Sequence, residues 1–284
     1  LTTRVPVRID FGGAWTDVPL YADAHGGAVF NATIDRYVTG ELASGEEGVD
    51  VRYGLELPTG SGLGTSAALN VAWLALITRG TDRARLAEQA YQIEGVLDVL
   101  GGRQDQWAAA HGGFNLFHFD RSGVRTEKIA LPEAALKALE SRSVLLYTNS
   151  PRFSGSIHEQ VWGAYRAGRT ATVEALHRLK ELALAMPERL LGGDIDGFAR
   201  LLTENWECQK ALYNSVTNPQ IDALFDVATG AGALGGKACG AGGGGCLYFV
   251  AGEDRRGELV AALRESGARE IPFRFEFEGV VLRL

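Results

Sequence analysis

Apolar and polar positions alternate in four stretches near the start of the chain, Val5–Ile9, Ala28–Ile34, Tyr37–Leu42 and Val49–Leu57, with glycines and charges between them. A period of two puts every second side chain on one face of a strand, so the first sixty or so residues are predicted to form a sheet. The pattern changes at Ser66. From there to about Thr78 the chain is rich in Ala and Leu and reads as a helix, and from Asp82 to about Leu97 a second helix gathers Leu86, Ala90, Ile93 and Leu97 on one stripe. Gln104–Ala110 reads as a short helix and Phe114–Phe119 as a strand, and the run PEAALKALESR is a charged helix that yields to a strand over Ser143–Tyr147. Helices are then predicted near 155–167, 171–186, 195–212 and 219–229, followed by a strand Cys246–Val250, a helix near 254–266 and a last strand Ile271–Phe277. Strands and helices come in blocks, which defines an α+β chain, and no repeat or low-complexity linker interrupts it.

A length of 284 residues suits two lobes, divided here as 1–142 and 143–284. Hydrophobic residues make up 46% and charged residues 22%, so both lobes have enough apolar surface for a core. The net charge of −7 argues against nucleic acid as a partner, since displacing counterions needs a basic surface, and any anionic ligand must be held locally. The start, LTTRVPVRIDFGG, lacks the pattern of a signal peptide, no apolar run is long enough for a membrane span, and three cysteines form no metal-binding or disulfide pattern. A cytoplasmic protein, with no membrane partner, is the expectation.

The segment PTGSGLGTSAAL, Pro58 to Leu69, joins a strand to a helix through Gly60, Gly62 and Gly64. Glycine lets backbone N–H groups approach a ligand closely, and a helix start adds unsatisfied N–H groups, so the arrangement suits phosphate. A tight turn capped by Thr65 or Ser66 is the plainer alternative. No Lys follows the last glycine, which separates this loop from the GxxxxGK(S/T) type, and the spacing is not GxGxxG. A second glycine run, KACGAGGGGCLYF from Lys237 to Phe249, holds Gly240 and Gly242–Gly245, too costly in chain entropy for a turn alone.

The first loop resembles the second motif of the GHMP kinases, of the form PxGxGLG(S/T)SAA. VPVRIDFGGAWTD resembles their first motif and KACGAGGGGCLYF their third, so the resemblance runs over nearly the whole chain. GGRQDQWAAAHGGFNLF and the ending FRFEFEG look like the sugar-kinase branch that holds the heptose 7-phosphate kinases, with the L-fucose kinases as close relatives. The turn FGGAWTD leans towards the fucose kinase form, and the segment before the phosphate loop is shorter than in heptose kinases. The resemblance implies a ribosomal-protein-S5-like N-terminal domain, a ferredoxin-like α/β C-terminal domain, ATP and Mg²⁺ as cofactors, and a sugar or sugar phosphate as acceptor. It implies Asp105 as catalytic base with Arg8 beside it, phosphate contacts from Pro58, Gly60, Ser61, Gly62, Leu63, Gly64, Thr65, Ser66, Gly242 and Gly243, and a metal on Ser66 and Glu94.

Helix geometry separately turns Glu94, unlike Glu88, towards the apolar stripe of its helix. An oxygen-rich set of this kind is what Mg²⁺ prefers. For the acceptor the resemblance implies Asp17 first, with Thr16, His25, Gly26, Asp35, Arg152 and Gly240 as further candidates. Arg152 or Arg103 would answer an acceptor phosphate, Trp15 could line the sugar pocket, and a homodimer is possible. The competing readings are a non-catalytic sugar or nucleotide sensor on the same fold and a decarboxylase of the same superfamily. A dinucleotide-binding dehydrogenase is excluded by the loop spacing.

Overall fold

The computed structural model describes residues 1–45, 48–58, 60–96, 101–150 and 154–283. Two antiparallel sheets organise them. In the first, β1 (Thr2–Gly12) leads through a turn into the short helix α1 (Pro19–His25), and β2 (Gly27–Gly45) then runs for 19 residues. One edge of β2 carries β1, and the other is shared by β3 (Gly48–Leu55) along its second half and β4 (Phe114–Asp120) along its first. The stretches 28–34 and 37–42, predicted as separate strands, are thus one strand, and the register against β1 shifts where Asp35 and Arg36 interrupt the alternation. β5 (Gly123–Lys128) extends β4, and β10 (Val281–Arg283) lies on the free side of β1.

Helices α2 (Thr65–Thr78) and α4 (Gln104–His111) pack against this sheet, and α3 (Arg83–Val96) packs on both of them. The second half of the chain also reaches it. α5 (Glu133–Arg142) and β6 (Ser143–Tyr147) are followed by α6 (Ser154–Arg166), α7 (Thr170–Leu191) and α8 (Ile195–Leu212), and both α7 and α8 pack on β1. β1 is therefore buried along nearly its whole length, which is why polar Arg8 and Asp10 are as buried in it as Val7 and Ile9. α7 was predicted to end before Pro187 but continues through it. Proline there removes one backbone hydrogen bond, and the burial of Met186, Pro187 and Leu190 against the core outweighs that loss.

A 3₁₀ turn at Asn214–Val216, α9 (Pro219–Gly230), β7 (Ala233–Ala238), β8 (Cys246–Ala251), α10 (Arg256–Glu265) and β9 (Arg269–Glu270) complete the second sheet. Its order, β7-β8-β6-β9 with all pairs antiparallel, is that of a ferredoxin-like domain. The predicted last strand, 271–277, joins neither ladder as a strand and makes a single bridge, Phe275 to Ile34 of β2. Ile271 N donates to Leu145 O of β6, whereas Glu276 N donates to Thr33 O of β2, so this segment crosses from one sheet to the other before β10. β7 was not predicted because ALGGKA shows no alternation. Its glycines are required by packing, since a Cβ on Gly235 would fall 1.9 Å from Ala199 O of α8.

Candidate active site

Gly60, Gly62 and Gly64 have φ of 75°, 84° and 76°, angles that only glycine adopts without cost, and they carry the chain onto α2. Gly64 sits at the cap position with no side-chain cap, so the capping role considered for Thr65 or Ser66 is not realised. The helix keeps its first N–H groups and the positive end of its dipole at the loop. Gly60, Ser61, Gly62, Gly64, Thr65 and Ser66 line a cavity of about 350 Å³. Leu63 points into the core at 0% exposure, and its carbonyl accepts from Arg8 N at 3.0 Å. Pro58 lies before the part of the loop that reaches the cavity.

The second glycine run faces the first. Cys246 N donates to Ser61 O at 2.7 Å, and a Cβ on Gly245 would fall 2.6 Å from the same oxygen, so any side chain there would push the loops apart. Gly240 and Ala241 line the cavity. Gly242 and Gly243, expected among the phosphate contacts, pack instead on the 3₁₀ turn. Gly243 N donates to Val216 O at 2.8 Å, and a Cβ on Gly242 would come within 2.3 Å of that carbonyl.

Arg8 stands at the centre, 2% exposed. Its Nε donates to Asp105 Oδ1 at 2.8 Å, its Nη2 lies 2.6 Å from the same oxygen, and its Nη1 donates to Gly62 O at 2.7 Å. Asp105, in the first turn of α4, keeps 28% of its side chain open to the cavity, so the pair joins a fixed guanidinium to an accessible carboxylate. The neighbouring carboxylates hold the Arg8 pKa above its usual value against the opposing effect of burial.

Glu94 lines the cavity, accepting from Asn70 Nδ2 at 3.1 Å and Gln106 Nε2 at 2.7 Å. Burial, with Asp105 adding repulsion, raises its pKa to about 7. Asp17 is 3% exposed and accepts from Gln104 N at 3.0 Å; burial lifts it to about 6. Three carboxylates therefore share the cavity wall with one guanidinium. Trp15, at φ 83°, packs against His158 with ring centroids 4.5 Å apart and the rings tilted by 33°, and both line the same space.

Several residues expected around the acceptor are elsewhere. The Thr16 hydroxyl is spent on the backbone, donating towards Gly13 O and Ala28 O and accepting from Ala28 N. His25 meets Tyr165 OH at 3.2 Å at the end of α1, and Gly26 closes that helix at φ 67°. Asp35 accepts from Arg274 N at 2.8 Å. None of these four lines the cavity. Arg152 lies outside the described residues.

Sequence reasoning passed over Asp10. It is 0% exposed, takes Lys237 Nζ at 2.5 Å on Oδ2 and Gly240 N at 2.8 Å on Oδ1, and lies 3.8 Å from Arg8 Nη1. Lys237 is equally buried and also donates to Asp10 O at 3.0 Å. Two charges at alternate positions of the otherwise apolar stretch Val5–Phe11, Arg8 and Asp10, were the available signal.

A fixed guanidinium and accessible carboxylates between two glycine loops can position a phosphate and accept a proton. Residues 29–113 match the GHMP kinases N terminal domain and residues 173–269 match GHMP kinases C terminal, so the chain belongs to the GHMP kinases. It is 29% identical to the D-glycero-alpha-D-manno-heptose 7-phosphate kinase of Campylobacter jejuni, across 99% of this chain and 98% of that one. It is also 26% identical to the L-fucokinase/L-fucose-1-P guanylyltransferase of Bacteroides fragilis, over 87% of this chain and 34% of that protein. Among solved structures, a D-glycero-D-manno-heptose 1-phosphate kinase from Bacteroides thetaiotaomicron superposes with a TM-score of 0.81 at 26% identity, covering 100% of this chain and 99% of the other.

Proposed function

We propose that this protein is an ATP-dependent sugar kinase that phosphorylates the anomeric hydroxyl of a sugar or sugar phosphate, with D-glycero-D-manno-heptose 7-phosphate as the preferred acceptor. The observation that carries the reading is the Arg8–Asp105 pair on the wall of a cavity bounded by both glycine loops. Phosphoryl transfer depends on positioning and charge neutralisation, with an acid to take the acceptor's proton. Asp105 takes that role. Arg8 favours its ionised form and, held by Gly62 O, is fixed in orientation before the acceptor arrives. The loop from Gly60 to Ser66 and the start of α2 bind the ATP phosphates, with Gly240 closing the other side.

The carboxylate excess calls for a cation when ATP is bound, and Ser66 and Glu94 would hold Mg²⁺. Among the described residues no three His, Cys, Asp or Glu side chains gather into a metal cluster. A Mg²⁺ ion on Ser66 and Glu94 would complete its shell with phosphate oxygens and water and neutralise charge on the phosphates.

Asp17 accepts hydrogen bonds from acceptor hydroxyls, and Trp15 walls the same pocket. An acceptor phosphate needs its own cation, and Arg103 is the candidate. It follows Gly102, which packs on Asp17, and its guanidinium stacks on Tyr91 at 4.8 Å. The division into 1–142 and 143–284 belongs to this reading, as does a cytoplasmic location. Among the described residues no helix is long and apolar enough to cross a membrane. The fucose kinase-like FGGAWTD turn and the fucokinase relative favour a second reading, a free-hexose kinase. ADP release measured side by side for heptose 7-phosphate, mannose and L-fucose, with ³¹P NMR locating the new phosphate, separates the two. The expected result is highest kcat/KM for heptose 7-phosphate, with phosphate on the anomeric oxygen. Faster use of a free hexose would move the assignment to the second reading, and no ADP release with any sugar would remove both.

A further inference from the structure

β3 lies open to solvent along its whole length, every residue from Gly48 to Leu55 being exposed. Its outer edge pairs with no strand among the described residues. The exposed side chains are not mainly polar. Val49, Val51, Tyr53 and Leu55 alternate along the strand and so share one face, at 66%, 41%, 40% and 43% exposure. That face looks to the same side of the sheet as α2. A Cβ on Gly40, the residue opposite Tyr53, would fall 2.8 Å from Leu76 Cδ1 of α2 and 3.4 Å from the Tyr53 ring. On α2, Trp73 and Ile77 are themselves 40% and 47% exposed. An open edge with an apolar face is a template for another strand.

We propose that β3 pairs antiparallel with β3 of a second copy of this chain, about a two-fold axis at Val51, so that the first sheet continues across a dimer. The sequence selects both the partner and the register. A two-fold axis perpendicular to the sheet must keep the two apolar faces on one side, because a slip by one residue would set each apolar face against the other copy's Asp50 and Arg52. Among the registers that satisfy this, an axis at Asp50 opposes Asp50 to its own copy, and an axis at Arg52 opposes Arg52 to its own copy. An axis at Tyr53 sets Asp50 against Glu56, and an axis at Gly54 or Leu55 runs the pairing past the end of the strand and leaves Val49 and Val51 outside it. An axis at Val49 moves towards the tip of the β2–β3 hairpin and leaves Tyr53 and Leu55 outside the paired stretch. With the axis at Val51, Asp50 faces Arg52 twice, Val49 faces Tyr53 twice and Val51 meets itself, so every charge and every apolar side chain of the central five residues has a matching partner. Self-complementarity of this kind is what an isologous interface requires.

Sedimentation velocity on the purified chain over a concentration series tests the pairing. The wild type is expected to dimerise, and Asp50→Arg and Arg52→Asp are each expected to weaken the dimer at least tenfold by opposing like charges. The double variant Asp50→Arg/Arg52→Asp restores opposite pairs and should recover it. Val51→Cys should form an inter-chain disulfide under mild oxidation, because that residue meets its own copy, whereas Asp50→Cys should not. A monomer at the highest soluble concentration would overturn the proposal, as would a dimer that both single reversals leave unchanged.

Discussion

Asp10 and Asp17 stand at the two ends of the FGGAWT turn, and both are buried, yet the protein treats them differently. Asp10 has both oxygens answered, by Lys237 and by Gly240 N, with Arg8 nearby. It ties β1 to the second glycine run, and so sets the distance between the two loops that bound the cavity. Asp17 accepts from Gln104 N and has no cation within ion-pair distance among the described residues, while a Cβ on Gly102 would come within 1.8 Å of it. Burial without such a partner pushes its pKa to about 6. A buried charge that is fully paired is scaffold; one held short of partners is kept at a cost, and a ligand that completes its shell explains the cost.

The largest effect expected from this contrast is on stability. Asp10→Asn leaves the Lys237 ammonium buried without its anion and should cost about 3–5 kcal/mol in urea unfolding, while Asp10→Leu with Lys237→Met should recover much of it. A loss below about 1 kcal/mol would show that the pair is not the clamp described.

Asp17→Asn should behave in the opposite way. The folded-state pKa of Asp17 is raised, so its contribution to stability is fully present below its ordinary value near 3.8 and is lost as pH rises through about 6. The stability of the ligand-free wild type relative to Asp17→Asn should therefore fall by up to about 3 kcal/mol between pH 4 and pH 7. Denaturant unfolding at both pH values measures this, and a difference that stays flat would remove the burial argument. The same variant should raise the KM of the acceptor more than that of ATP. A smaller effect is expected at Glu94. Glu94→Gln should raise the Mg²⁺ concentration for half-maximal activity several-fold, on the order of 1 kcal/mol, and an unchanged titration would exclude a role at the metal.

Much of this was legible in the chain. Helices α2, α3, α4 and α8 followed from composition and periodicity and the glycine loops from their spacing, while Arg8, Asp17, Asp105 and Glu94 came from the resemblance to the GHMP kinase motifs, with helix geometry adding to the case for Glu94. Proximity in sequence misled where it stood in for proximity in space. Thr16 sits beside Asp17, but its hydroxyl replaces a missing backbone partner in the turn, and His25 and Asp35 are carried off by α1 and by the length of β2. The Asp10–Lys237 pair spans 227 positions, and a contact of that range leaves only an indirect trace, a charge where an apolar side chain belongs.

Single-turnover phosphoryl transfer by Asp105→Asn, measured alongside ATP binding by calorimetry, tests the central claim most directly. Asn keeps the shape of the side chain and removes the carboxylate that pairs with Arg8 and that the proposed reaction needs as proton acceptor. The account predicts an ATP Kd within about twofold of wild type and a transfer rate lower by about a hundredfold or more. A wild-type transfer rate in the Asn variant would contradict it.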